Sequence, residues 1–187
     1  MCIGQKPGTG ALLTPRSQRA VGSAALLGAV VALVIHLTAV IGAPLAGMGA
    51  IFIIFPAGIL SWGILIRHVN RRGRSGGPQG PLALILPLPV WARLVFGAVF
   101  LYALLNFLLF FQATGGGSVE RDANGQAVLS GHGRVIRTLD ENGVRAIEVW
   151  QVRAFSGHIL PFLVLPGLYF LLAPADDDAK RERGRAA

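Results

Sequence analysis

The hydrophobic residues of this chain are concentrated in four long runs, at residues 20–41, 44–66, 94–111 and 156–173. None of the runs contains Asp, Glu, Lys or Arg. A helix of about 20 apolar residues is long enough to cross the hydrocarbon core of a bilayer. The pattern therefore predicts an α-helical integral membrane protein with four transmembrane helices. The fourth run is the weakest of them, because Pro161, Pro166 and Gly167 interrupt it and because its length allows a span only if it is nearly upright.

The stretches between the runs complete the predicted organisation. Residues 81–92 are apolar but carry three prolines, at 81, 87 and 89, and this favours an interfacial or a re-entrant segment. The predicted parts are a cytoplasmic arm at 1–19, a transmembrane hairpin at 20–66, a cytoplasmic linker with the interfacial segment at 67–93, the third helix at 94–111, an extracytoplasmic segment at 112–155, the fourth helix at 156–173 and a cytoplasmic tail at 174–187.

The charge distribution predicts the orientation. Twelve of the 17 Lys and Arg residues lie in the arm, in the 67–93 linker and in the tail, with four acids, all of them in the tail. Residues 112–155 hold five Arg and five acids. Because short loops rich in Lys and Arg stay in the cytoplasm, both termini are expected inside and 112–155 outside. Basic residues beside membrane spans account for the pI near 11, so nucleic acid is not expected as a partner.

The segment at 112–155 is the only part with soluble character. Residues 126–129 and 134–139 read as two short strands around a turn at 130–133, which predicts a β-hairpin. Whether 140–155 forms helix or strand stays open. Thr138 and Glu141 have the spacing of a capping box and favour a helix, whereas Asn142-Gly143 is typical of a second hairpin. With the helix, the fold class includes a small α+β insertion between helices 3 and 4.

One part of this segment resembles a group of small, uncharacterised bacterial four-span inner-membrane proteins. Their outer loop has a hairpin with His-Gly-Lys/Arg-Val-Ile followed by a helix ending in Arg-x-Phe-Ser-Gly-His; here these motifs are Gly-His-Gly-Arg-Val-Ile at 131–136 and Arg-Ala-Phe-Ser-Gly-His at 153–158. This chain differs at Ile159, where the group commonly has Trp, and at Asn142-Gly143. The resemblance implies the bacterial inner (plasma) membrane, with N and C termini inside, and implies no activity.

Histidine is the only residue type that suggests a cofactor. Of the four, His36, His132 and His158 are expected on the outer side of the membrane. A pair of imidazoles in a helix bundle can bind haem b, so His36 and His158 are the cofactor candidates. No His-x3-His pair or intramembrane carboxylate accompanies them, and a hydrogen-bonded structural histidine is the ordinary outcome. We therefore expect no cofactor and no metal.

The 153–158 motif is also the predicted structural junction between the outer module and the helices. Its named members are Arg153, Phe155, Ser156, Gly157 and His158, of which glycine permits close backbone approach and phenylalanine is apolar at the membrane surface. No catalytic residues are predicted, since no triad or carboxylate pair is recognisable.

The function expected from the sequence is that of an accessory or interaction protein. Its surroundings are the lipid bilayer, and the outer loop would meet a membrane or envelope protein. A haem-binding redox protein and a small oligomeric transporter are the alternatives. The sequence gives no activity, ligand or oligomeric state.

Overall fold

The computed structural model describes residues 13–74, 80–131 and 133–173. The first twelve residues of the arm, His132 and the tail at 174–187 therefore lie outside the described residues. The described part is mostly helical. In chain order the elements are α1 (Pro15–Val40), α2 (Met48–Arg74), a short 3-10 helix (Pro81–Leu84), α3 (Val90–Thr114), β1 (Ser118–Arg121), β2 (Ala127–Gly131), β3 (Arg134–Thr138) and α4 (Glu141–Leu172).

All four α-helices are long and apolar enough to cross a membrane. Each contains an 18-residue stretch with a mean hydropathy between 1.7 and 2.4 and at most two charged residues. By length and composition, four such helices suggest a multi-pass membrane protein. Each helix contains all or most of one of the four predicted runs.

The fourth helix, which looked weakest in the sequence, is the central one. In its apolar stretch 67% of the residues are buried, against 11% in α3. Helix α4 packs against α1, α2 and α3. Pro161 and Pro166 are both buried within it. Proline is tolerated inside a membrane helix where neighbouring helices surround the backbone, so the interruptions fit a core position and not a weak span.

Close packing between α1 and α4 depends on small residues. The buried face of α1 carries Gly22, Ala25, Ala29, Ala32 and Ala39. At Gly167 of α4, an added Cβ would lie 2.5 Å from Leu26 Cδ2. Small side chains let membrane helices approach closely. At the start of the second run, Ala46 and Ala50 pack against a cluster that includes Ile35 and Ala39 of α1, whereas Gly47 has nothing within 4 Å of an added Cβ.

Between α3 and α4 the chain forms a three-stranded antiparallel sheet in the order β1-β2-β3. The predicted hairpin is confirmed as β2 and β3. Strand β1 was missed, because its sequence, Ser-Val-Glu-Arg, has only one apolar residue. Leu129 and Leu139 are buried against Ile147 of α4, so the sheet packs on the beginning of that helix.

The ambiguity at 140–155 is resolved as helix. Helix α4 begins at Glu141, and Asp140 is its N-cap residue, with Oδ1 accepting a hydrogen bond from the Gly143 backbone N–H at 2.7 Å. The predicted capping residue, Thr138, is the last residue of β3 instead. Asn142-Gly143 therefore lies in the first turn of a helix.

The proline-rich stretch at 81–92 packs at the end of the bundle opposite the sheet. Ala83, Leu88 and Ala92 are buried there against Leu65 and Val69 of α2. Helix α3 begins at Val90, four residues before the predicted start.

Candidate functional site

Three polar side chains are buried between α1, α3 and α4, in the half of the bundle nearer the sheet. His36 of α1, Asn106 of α3 and Ser156 of α4 are each 1% exposed. Polar groups are costly among apolar helices unless they are hydrogen-bonded, and in membrane proteins they mark structural or functional contacts. Together with Tyr102 and Arg153, they form what we call the polar junction.

Both ring nitrogens of His36 have partners. Nδ1 lies 3.0 Å from the backbone carbonyl oxygen of Arg153, and Nε2 lies 2.6 Å from the Tyr102 hydroxyl oxygen. A carbonyl can only accept, so Nδ1 carries a proton, and in the neutral form of the ring the Tyr102 hydroxyl donates to Nε2. His36 of α1 thus bonds both α3 and α4. Ser156 Oγ, at 3.1 Å from Nδ1, is a second acceptor for the same proton.

Asn106 joins α3 to Arg153 of α4 through both atoms of its amide. Nδ2 donates to the Arg153 carbonyl oxygen at 3.1 Å, and Oδ1 accepts from the Arg153 Nε–H at 3.0 Å. Asn106 thus hydrogen-bonds a neighbouring helix, as polar side chains within membrane helices commonly do. The guanidinium carbon of Arg153 lies 4.6 Å from the centre of the Trp150 ring, in range of a cation–π interaction.

Because Gly157 has no side chain, Asn106 and His36 can approach the backbone of α4. A Cβ atom at this position would lie 2.7 Å from Asn106 Nδ2 and 2.9 Å from His36 Cε1. Both distances are shorter than a van der Waals contact. The glycine is therefore what allows the imidazole and the amide to reach the backbone of α4.

The two candidate haem ligands have different surroundings. His36 has both nitrogens engaged, while the ring of His158 lies against Phe107, with ring centres 4.9 Å apart. His158 Nδ1 is enclosed and has no hydrogen-bond partner among the described residues. Ligation of iron by His36 would require the imidazole to give up Tyr102 or the Arg153 carbonyl. Over residues 13–74, 80–131 and 133–173, no three His, Cys, Asp or Glu side chains are grouped as a metal site.

Of the remaining motif residues, Ser156 faces the bundle and Phe155 faces outward. Ser156 Oγ donates to the Val152 carbonyl at 2.6 Å, within α4. Phe155 is 41% exposed. The structure thus brings Arg153, Ser156 and Gly157 together with His36, and places Phe155 and His158 elsewhere on α4.

Tyr102 is the member of the polar junction that sequence reasoning missed. A tyrosine in an apolar run is unremarkable by itself. Its signal was the spacing of four to Asn106, which puts both side chains on one face of α3. Read together, the two residues indicate a polar contact for that face.

A second feature is an open cleft between the sheet and the first turns of α4, with a volume of about 680 Å³. Its apolar lining consists of Ala127, Leu139 and Val144. Charged side chains of both signs surround this lining, namely Arg121, Asp140, Glu141, Arg145 and Glu148. Five of the eight lining residues are charged and Leu139 is buried, so the cleft presents a mixed polar and apolar surface.

The chain was compared with protein-family models, curated proteins and solved structures. No protein-family model, no curated protein and no solved structure matches it.

Proposed function

We propose that the protein is a multi-pass component of the bacterial inner membrane and acts as an accessory or interaction protein. Its outer cleft binds a segment of a membrane or envelope protein. The observation that carries the proposal is the cleft itself, a concave surface of apolar and charged side chains on a module that is fixed to the helix bundle.

The charges of the bundle support the orientation with both termini inside. Arg16 and Arg19 lie in the first turns of α1, Arg67 and Arg71 in the last turns of α2, and Arg93 near the start of α3. All five belong to the end of the bundle away from the sheet. The positive-inside rule assigns that end to the cytoplasm and the sheet to the outer side.

The continuity of α4 supports a role as a binding platform. The helix has 32 residues, which is about 48 Å at the α-helical rise. Its first turns complete the core of the sheet through Ile147, and its last turns are buried among the other helices through Tyr169 and Phe170. A module held in this way loses little conformational freedom when it binds, so more of the contact energy is retained as affinity.

The polar junction supports a structural explanation for the motif residues. His36 and Asn106 use their hydrogen-bonding atoms on the backbone and side chains of neighbouring helices. These bonds fix α4, and with it the sheet, relative to α1 and α3. No observation favours the redox or the transporter alternative.

Charge reversal at the margin of the cleft tests the proposal. Arg145 is exposed on α4 and lines the cleft, whereas Arg134 is exposed on β3 and does not. We expect Arg145→Glu to lower the yield of an in-cell photo-crosslink between the cleft and its partner by about tenfold or more, as for a charge facing a complementary one. The matched control Arg134→Glu should leave the yield unchanged. Equal yields from both variants and the wild type would contradict the proposal.

A further inference from the structure

The guanidinium of Arg153 has hydrogen-bond donors that the protein does not use. Nε is bonded to Asn106, and Trp150 lies against the guanidinium carbon. For Nη1 and Nη2, no hydrogen bond or ion pair with any described residue is found. Arg153 is half-buried, so these donors reach the surface of the bundle.

The surroundings provide no negative charge for this cation. The chain has no Asp or Glu before Glu120, so α1, α2 and α3 contain none. On α4 the acids are Glu141 and Glu148, and neither pairs with Arg153 among the described residues. A cation beside apolar helices is better stabilised with a counter-charge, which an external anion can supply at the surface.

The depth of Arg153 identifies the kind of anion. Its partner Asn106 lies eight residues from the end of α3, which corresponds to about 12 Å along the axis. Helix α3 has 25 residues, or about 37 Å, and so exceeds a hydrocarbon core of about 30 Å. A guanidinium at that depth extends towards the headgroups of the nearer leaflet, where phosphate is the abundant anion. The planar fork of arginine matches phosphate oxygens in a bidentate way.

We propose that Arg153 binds a phosphate group at the sheet-side surface of the bundle, between α3 and α4. The two Nη groups donate to the phosphate oxygens, while Asn106 and Trp150 hold the guanidinium in place. The occupant is an anionic phosphate, supplied by a phospholipid headgroup or by free phosphate. The inference depends on the membrane location and is independent of the cleft and its partner.

The test is binding of phosphatidylglycerol to the full-length protein purified in a neutral detergent, measured by native mass spectrometry and by the melting temperature. We expect saturable binding that Arg153→Gln weakens by about tenfold or more, the effect of losing charge-assisted hydrogen bonds. The control Arg134→Gln changes an exposed cation of β3 that does not line the cleft, and it should bind as the wild type does. Diacylglycerol, which lacks the phosphate, should not bind.

The other outcomes of this test either support or overturn the phosphate site. Saturation by inorganic phosphate alone would support the same site with free phosphate as its source. If Arg153→Gln does not fold, Arg153→Lys replaces it; this variant keeps the charge but lacks the fork and should bind more weakly than the wild type. Equal binding by the wild type and by the Arg153 variant, or equal binding of diacylglycerol, would overturn the proposal.

Discussion

Asn106 bonds Arg153 at two points, the backbone carbonyl and the guanidinium Nε, at 3.1 Å and 3.0 Å. One amide thereby fixes both the backbone of α4 and the direction of a charged side chain. Because Asn106 is 1% exposed, no water competes for these bonds. Replacing this amide therefore removes two hydrogen bonds between α3 and α4 at once.

Replacement of Asn106 by Leu should destabilise the protein. Leu has the same branched shape but leaves the Arg153 Nε–H without its acceptor, at a cost of about 1 to 3 kcal/mol in the free energy of unfolding. Unfolding in detergent, followed by circular dichroism, measures the change. Asn106→Asp restores the acceptor and should be less destabilising than Asn106→Leu. Equal stability of Asn106→Leu and the wild type would contradict the assignment.

Gly157 should not tolerate a methyl group. In Gly157→Ala the new Cβ meets Asn106 Nδ2 and His36 Cε1, so we expect a loss of about 1 to 3 kcal/mol, typical of overpacking. The matched control is Gly97→Ala in α3, where nothing lies within 4 Å of an added Cβ. That change should be neutral or stabilising, since alanine is the better helix former. A Gly157→Ala protein as stable as the control would show that the contact is not close.

Replacement of Asp140 should destabilise the first turn of α4, whereas replacement of Thr138 should not. Asp140→Ala removes the acceptor for the Gly143 N–H and should cost about 0.5 to 2 kcal/mol, seen as faster hydrogen exchange in the first turn of α4. Asp140→Asn keeps an acceptor and should retain most of the protection. Thr138→Ala should leave exchange in that turn unchanged. The reverse pattern would restore the capping box read from the sequence.

The cofactor expectation has a simple spectroscopic test. Because both nitrogens of His36 are bonded within the protein, the chain purified from membranes should show no Soret band and no stoichiometric metal. A haem spectrum that disappears in His36→Ala or in His158→Ala would establish the redox alternative.

How much of the structure can be predicted from the sequence depends on how far apart in the chain the interacting residues lie. The four helices and the β2–β3 hairpin follow from local hydrophobic patterns, so they were predictable. The polar junction was not, because it joins residues as distant as His36 and Arg153, and no local pattern indicates that pairing. Strand β1 is likewise held by its pairing with β2 and not by its own sequence.

The central claim is that four helices cross the membrane with the sheet outside, and thiol labelling of intact cells tests it most directly. In a Cys2→Ser background, one cysteine is placed at Ala123 or at Ala187. Ala123 is an exposed turn residue, preferable to the neighbouring Gly125, whose φ of 77° suits glycine. An impermeant reagent should label Ala123→Cys in intact cells and Ala187→Cys only after lysis. Labelling of Ala187→Cys but not of Ala123→Cys in intact cells would reverse the orientation, and labelling of both would mean that α4 does not cross.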